Sequence, residues 1–296
     1  MSEVELIMLN YNNLEFTRTA VASLYKHTRH PFHLYLVDNA STEPGTEEYL
    51  SELESKYRNV TVIRSEKPDS GFSEGNNKAL RLCTAEFVGL INNDLLFVDP
   101  DWLGKLVSVL EERERAVLVG PKLLYPDGSI QSAGSYLMPN AFSSLNLFYH
   151  RGRFEKGSLY NSTEPMPAVT FACIVARRKE FGLLDEEYKL GTFEDTDKCL
   201  ELLRKGYELY YTGETHCYHY ESATIFTRHD KSKWHRQQLE NCIRCRRKWI
   251  PWLWRQVQRN PYRFGLTPEQ LEEEKERIRA LGGLVIGPLE VLRVEV

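Results

Sequence analysis

The 296-residue chain contains no apolar run long enough to cross a bilayer, which takes about 20 consecutive residues. Its opening, "MSEVELIMLNYNN", carries an acid and no basic n-region, so it does not read as a secretory signal. Cysteine is sparse: Cys83, Cys173, Cys199, Cys217, Cys242 and Cys245 show no dense spacing. That excludes a disulfide scaffold and leads us to expect reduced thiols in a cytoplasm. Cys242-x-x-Cys245 is one pair without a well-spaced second, a weak zinc signal. Neither a dinucleotide fingerprint nor a Walker loop occurs, which argues against NAD enzymes and P-loop kinases. There is no internal repeat, and a net charge of -4 gives no overall polyanion-binding signature. A composition 42% hydrophobic and 27% charged fits a soluble globular chain, as one large domain or a domain plus an extension.

The first hundred residues alternate between two periodicities. "VELIML" (4–9), "FHLYLV" (32–37), "VTVIR" (60–64) and "EFVGLI" (86–91) read as strands. Between them, 15–27, 46–57 and 73–83 have helical apolar spacing. Strands this apolar, separated by helices, predict an α/β fold: a parallel sheet covered on both faces. The second half is less regular. It reads as a strand at 116–120, a hairpin turning at Pro126-Asp127-Gly128, a long loop at 139–167 and a strand at 168–178. A helix at 193–207 and a strand at 208–212 follow.

Ligands of open parallel sheets collect beyond the carboxyl ends of the strands. Those ends carry Asn10-Tyr11-Asn12, Asp38-Asn39 and Asn92-Asn93-Asp94. Asx residues also make ordinary turns there, but three polar clusters on one sheet edge point to a site. Asp94 is a hard oxygen ligand suited to Mg2+ or Mn2+. Asp99 and Asp101, around Pro100, read instead as the start of a helix.

In order, "NYNN" (10–13), "LVDNAST" (36–42), "GFSEGNN" (71–77), "INND" (91–94), "RR" (177–178), "FGLLDEEYKLGTFEDTD" (181–197) and "HYES" (219–222) resemble the family 2 glycosyltransferases. Within that family the look is rhamnosyltransferase-like. The resemblance implies a GT-A fold over 1–225 and an inverting, metal-dependent sugar transfer from a UDP- or dTDP-sugar. The acceptor would be a glycan or a lipid-linked molecule in surface-polysaccharide assembly. It also implies that Asp94 and His219 bind the metal and that Asp38 accepts the imide N–H of a uracil or thymine ring. Asn92 would lie close to the ribose, and Gly71 and Gly75, with Asn76 and Asn77 at the helix start, would offer backbone donors near the pyrophosphate. Asp195 would be the general base, with Glu194 beside it contacting the acceptor and, as a like charge, raising the pKa of the pair. Asp197 would orient the site or cap the helix. Lys198, Glu201 and Phe171 depart from the residues usual in relatives, which bears on the acceptor. Alternatives are a sugar-phosphate nucleotidyltransferase, for which "NYNNLEF" lacks a glycine-rich basic loop, and a non-catalytic nucleotide-sugar-binding protein.

Residues 226–296 form a second region, a helical extension. Its 226–263 stretch is basic and interleaved with Trp234, Trp249, Trp252 and Trp254. It reads either as a peripheral contact with the inner face of a membrane or as an amphipathic helix packed on the catalytic domain; nucleic acid is a distant third. Thr267-Pro268-Glu269-Gln270 is a capping box, and Gly282-Gly283 a stop.

Overall fold

The computed structural model describes residues 3–66, 71–220 and 231–294. Glu221 and Ser222 of "HYES", and Arg228 of the basic stretch, lie outside the described residues. The expected alternation is β1 (Val4–Asn10), α1 (Leu14–Lys26), β2 (Phe32–Asp38), α2 (Thr46–Lys56), β3 (Val60–Arg64), α3 (Phe72–Leu80) and β4 (Phe87–Asn92). β1 lies between β2 and β4, with β3 beyond β2, and all four are parallel. The two-residue period of β1 explains its burial on both faces. Val4, Leu6 and Met8 pack with Val21 and Leu24 of α1, while Ile7 packs with Ala79 and Leu80 of α3.

The second half continues the same sheet with mixed direction. It contains β5 (Leu95–Phe97), α4 (Trp102–Glu111), β6 (Ala116–Leu124), β7 (Ile130–Ser132), β8 (Ser135–Leu137), β9 (Phe148–His150), β10 (Thr163–Pro165) and β11 (Cys173–Arg177). Then come α5 (Arg178–Phe181), α6 (Glu194–Arg204) and β12 (Glu208–His219). The spine runs β10-β12-β6-β11-β4-β1-β2-β3, with β5 on β12 and β7 on β6. β11 is antiparallel to both β4 and β6, so the sheet is not wholly parallel. An apolar run buried on both faces states its depth, not its direction. The expected hairpin turn joins β6 to β7, closed by Gly128 N–H on the Tyr125 carbonyl at 2.9 Å.

β12 is longer than the sequence suggests. Its pairing with β6 jumps between Thr212 and His216, so Gly213, Glu214 and Thr215 bulge out and the strand then resumes. The backbone of Tyr160 and Asn161 fills the place of a Cβ at Gly213. The resumed strand sets His219 opposite Leu95 of β5. The bulge therefore delivers a histidine to the end of the sheet where Asp94 lies.

The extension consists of α7 (Lys231–Arg259), a 3-10 turn at Pro261–Phe264, α8 (Pro268–Leu281), β13 (Leu284–Gly287) and β14 (Glu290–Leu292). Thr267 and Gln270 form the expected capping box. The unplaced sequence after Gly283 is the β13–β14 hairpin. α7 turns Trp249 and Trp254 inward, the arrangement of the packing alternative. Trp249 and Trp254 are buried, Trp234 and Trp252 half-buried. Trp249, Ile250, Leu253 and Val257 share one apolar cluster with Leu200 and Leu203 of α6. Arg244, Arg247 and Lys248 pair with Glu187, Glu290 and Asp185. An amphipathic helix gains more by covering a core than by facing solvent. Buried Arg246 donates to the carbonyls of Ala141 and Val285, and buried Glu274 accepts from Phe142 N and Ser143 N. The two charges stitch the 139–147 loop to the extension.

Candidate functional site

The three strand-end clusters meet through side-chain hydrogen bonds. Asn10 Nδ2 donates to Asp38 Oδ1 at 2.8 Å, and Ser41 Oγ donates to the same oxygen at 2.6 Å. Thr17 Oγ1 donates to Asn10 Oδ1 at 2.6 Å and accepts from Asn93 Nδ2 at 3.0 Å. An amide donates and accepts at once, so Asn10 and Asn93 link the ends of β1, β2 and β4 without burying an unpaired charge. Asp38 Oδ2 accepts only the Ser41 N–H among these bonds, at 3.1 Å, so it retains capacity toward a ligand. Asn39 is buried, its N–H on the Asn10 carbonyl. Tyr11 is half-buried between its two asparagine neighbours. Asn12 supports the loop: its Oδ1 accepts the N–H groups of Thr42 and Glu43.

Two expectations for α3 need correction. Asn77 is fully buried and its side chain holds Leu184 and Glu186, so it faces no donor. Asn76 is buried as well and bonds back to the Phe72 carbonyl. Both backbones are already inside the helix. The first-turn N–H groups belong to Phe72, Ser73 and Glu74. Gly71 is placed as expected, at the helix entry: a Cβ there would lie 2.5 Å from the Leu190 amide nitrogen. Asp99 does not cap α4, which starts at Trp102; it holds Lys105 and Thr215.

Asp94 and His219 are brought together. His219 Nε2 lies 3.0 Å from Asp94 Oδ1, both side chains being more than nine-tenths buried. That contact is not aligned as a hydrogen bond, and among the described residues the buried Oδ1 has no hydrogen-bond partner. Asn92 Nδ2 stands 3.3 Å from Nε2. A buried carboxylate oxygen left unpaired is costly and is the feature a hard cation relieves. An octahedral Mg2+ with ligands about 2.1 Å away sets neighbouring ligands about 3 Å apart, so the pair fits a divalent ion. Among the described residues no group of three or more His, Cys, Asp or Glu forms a metal cluster. The remaining ligands would come from a bound diphosphate and water. Cys242 and Cys245 are free, buried thiols; Cys242 Sγ faces the Leu145 carbonyl, away from His219.

The acidic pair approaches the same sheet edge. Cys173 of β11 pairs with Ile91 of β4, and the next carbonyl back, Ala172, accepts the Asn92 N–H at 2.8 Å. One residue further back, the Phe171 backbone N–H comes close enough to the Asp195 carboxylate to hold its pKa down. Asp195 thus sits beside the end of β4, also accepting the Thr196 N–H at 2.6 Å. Burial, then the charge of Asp195, pushes the Glu194 carboxyl up to about 8. Burial also raises Asp195, against the pull of the Thr196, Asp195 and Phe171 backbone N–H groups and the Thr196 hydroxyl. Two carboxyls so placed hold a proton near neutral pH, as an acid–base pair requires. Asp197 is turned away and anchors the extension: it accepts Trp249 Nε1 at 2.6 Å and Tyr188 OH at 2.9 Å, with Lys248 Nζ at 2.8 Å. Lys198, buried, donates to the Phe181 carbonyl and pairs with Glu201.

The loop entering α6 is strained. Leu190, Thr192 and Phe193 all have positive φ, Thr192 at 115°, a conformation a β-branched residue rarely adopts. Two contacts hold it. Glu194 Oε2 accepts the Thr192 N–H at 2.5 Å. Buried Asn241 of α7 donates to the carbonyls of Lys189, at 2.8 Å, and Thr192, at 3.3 Å. Asn241 and Gln131, a partner of His219, escaped the sequence reading, because no local pattern marks a residue whose partner is dozens of positions away.

Residues 5–180 match the sequence model of the family described as glycosyl transferase family 2. The chain is 35% identical over 229 residues to an uncharacterized protein, y4gI, of Sinorhizobium fredii, covering 75% of this chain and 25% of that one. It is 31% identical over 229 residues to the O-antigen biosynthesis protein RfbC of Myxococcus xanthus, covering 75% and 18%. It therefore spans a quarter or less of the length of these relatives. The solved structure of GalNAc-T7 with UDP, GalNAc and Mn2+ aligns with a TM-score of 0.66 at 14% identity, over 94% of this chain and 54% of that one, the expected GT-A fold. The family match runs from β1 into α5 and contains all three hydrogen-bonded strand ends: this chain belongs to glycosyl transferase family 2.

Proposed function

We propose that the chain is an inverting, metal-dependent glycosyltransferase that moves a sugar from a nucleotide-diphosphate donor to an acceptor hydroxyl. The observation that carries this reading is the orphaned Asp94 oxygen facing His219 Nε2, beside a carboxyl pair raised toward neutral pH. Asp94 and His219 would hold Mn2+ or Mg2+, which when bound neutralises charge on the diphosphate leaving group. The free lone pair of Asp38 Oδ2 accepts the imide N–H of a uracil or thymine ring. Asn92 lies toward the ribose, and the entry of α3 after Gly71 toward the diphosphate. Asp195 takes the acceptor proton as the hydroxyl oxygen bonds to the anomeric carbon, while the bond from that carbon to the diphosphate oxygen breaks. Glu194 shares the pair's proton and holds the Thr192 N–H. The likeness to RfbC supports a place in surface-polysaccharide assembly, and the UDP and Mn2+ bound to GalNAc-T7 support that donor class and metal.

The test is a panel of UDP-, dTDP- and GDP-sugars with Mn2+, read first by thermal shift and then by release of nucleoside diphosphate. At least one donor should raise the melting temperature only with metal present and be turned over. Asp94→Ala should abolish the metal-dependent shift. A chain that binds none of these donors, or binds them equally well without metal, does not have this function.

A further inference from the structure

We propose that Gln131 is a positioning residue that fixes His219 as its Nδ1–H tautomer, so that the Nε2 lone pair, which Asn92 Nδ2 approaches at 3.3 Å, is available to a divalent cation. The inference rests on the metal reading above. Gln131 is the extra residue of a bulge in β7: Leu123 pairs with Ser132 and Leu124 with Ile130, which leaves Gln131 without an opposite. A bulge re-aims the side chain of its unpaired residue. Here that side chain reaches His219 twice. Its Oε1 lies 2.6 Å from His219 Nδ1, and its Nε2 donates to the His219 carbonyl at 3.4 Å. Gln131 is buried, 4% exposed, and His219 7%.

The second contact sets the direction of the first. Turned over, the amide would put its oxygen against the His219 carbonyl, two acceptors face to face in a buried space. In the orientation present, Oε1 accepts, so Nδ1 carries the hydrogen and a neutral ring has its lone pair at Nε2. Nε2 lies 3.3 Å from Asn92 Nδ2 and, off the line of a hydrogen bond, 3.0 Å from Asp94 Oδ1. Two electron-rich atoms at that distance repel unless a cation lies between them. An outer partner on the far ring nitrogen both orients the ligand and raises its basicity, and loss of such a partner weakens metal binding about 10–100-fold.

The tautomer is read without metal or variant folding entering the result. A long-range proton–nitrogen correlation spectrum of histidine-labelled protein, with His219→Ala to identify the signal, should show the neutral His219 ring as the Nδ1–H form. A neutral ring with its hydrogen on Nε2 overturns the proposal. Mn2+ titrated by electron paramagnetic resonance, alone and with UDP, supplies the second reading. Gln131→Met keeps the length but removes the acceptor and should weaken Mn2+ binding about 10–100-fold; Gln131→Glu restores the acceptor and should bind within a few-fold of the parent. Equal Mn2+ affinity in parent and Gln131→Met overturns the role of Gln131 alone. No Mn2+ binding by the parent under either condition overturns the metal reading and this inference together.

Discussion

At the scale of single residues, activity and stability ask opposite things of the Glu194–Asp195 pair. The proposed base must be deprotonated, whereas burial favours the proton on both groups. The stability sign follows from the raised pKa. An unfolded Glu titrates near 4.3 and folded Glu194 near about 8, so its contribution is complete below the lower value and lost as pH climbs through the upper. The metal-free protein should therefore lose stability in chemical denaturation between roughly pH 4 and pH 8, and Glu194→Gln should flatten that slope. Activity should rise over the same window, with an apparent pKa that belongs to the pair. Removing the like charge by Glu194→Gln should move that acid limb downward, seen in kcat/KM against pH; an unmoved limb contradicts the coupling. Asp195→Asn should cost about 10²–10⁴-fold in turnover while calorimetry shows nucleotide binding intact. Asp38, Asp94, Asp195 and His219 stood out as candidates in the sequence because their chemistry is scarce and falls in an ordered set of motifs. Asn77 misled: an asparagine at a helix entry looks the same whether it faces a ligand or, as here, a neighbouring loop.

At the scale of elements, two features set the site, and the sequence shows them only dimly. The first is the excursion at Gly213–Thr215, which splits β12 and hid its second half behind a glycine. The second is the loop before α6, whose positive-φ residues persist because neighbours hold them. Asn241→Ala removes the α7 donor that holds the Lys189 and Thr192 carbonyls. It should cost about 1–3 kcal/mol of stability and lower kcat more than it raises KM, since the loop leads directly into Asp195. A mutant with normal kcat and only a lowered melting temperature would make Asn241 purely structural. Gly71→Ala tests the same loop from its other side. Its Cβ would meet backbone at 2.5 Å from a φ of 153°, so both elements must move apart and donor affinity should fall with turnover.

At the scale of the whole molecule, the extension is part of the core. α7 contributes Trp249, Ile250 and Leu253 to the cluster beneath α6, and of the three side-chain partners given for Asp197 two, Trp249 and Lys248, come from it. Truncation after residue 225 strands a buried carboxylate and a large apolar face. It should yield a chain without a cooperative thermal transition, and a folded, nucleotide-binding 1–225 fragment would refute this. Trp249→Ala alone should cost about 3–5 kcal/mol. Exposed Arg236, Arg255, Arg259 and Arg263 remain on the outer side; full-length partitioning onto anionic liposomes, set against neutral ones, measures whether they attract a membrane without tryptophan insertion.

By itself the sequence determined the alternation of strands and helices, the chemistry gathered at the strand ends and the acids that open α6, because periodicity and residue type are local. Only the tertiary structure decided the direction of β11, the partners of Asp197, the side of α7 that the tryptophans take and the meeting of Gln131 with His219. Each of these depends on which surface is left to cover or which donor lies opposite, a choice made by packing over distances that no stretch of sequence encodes.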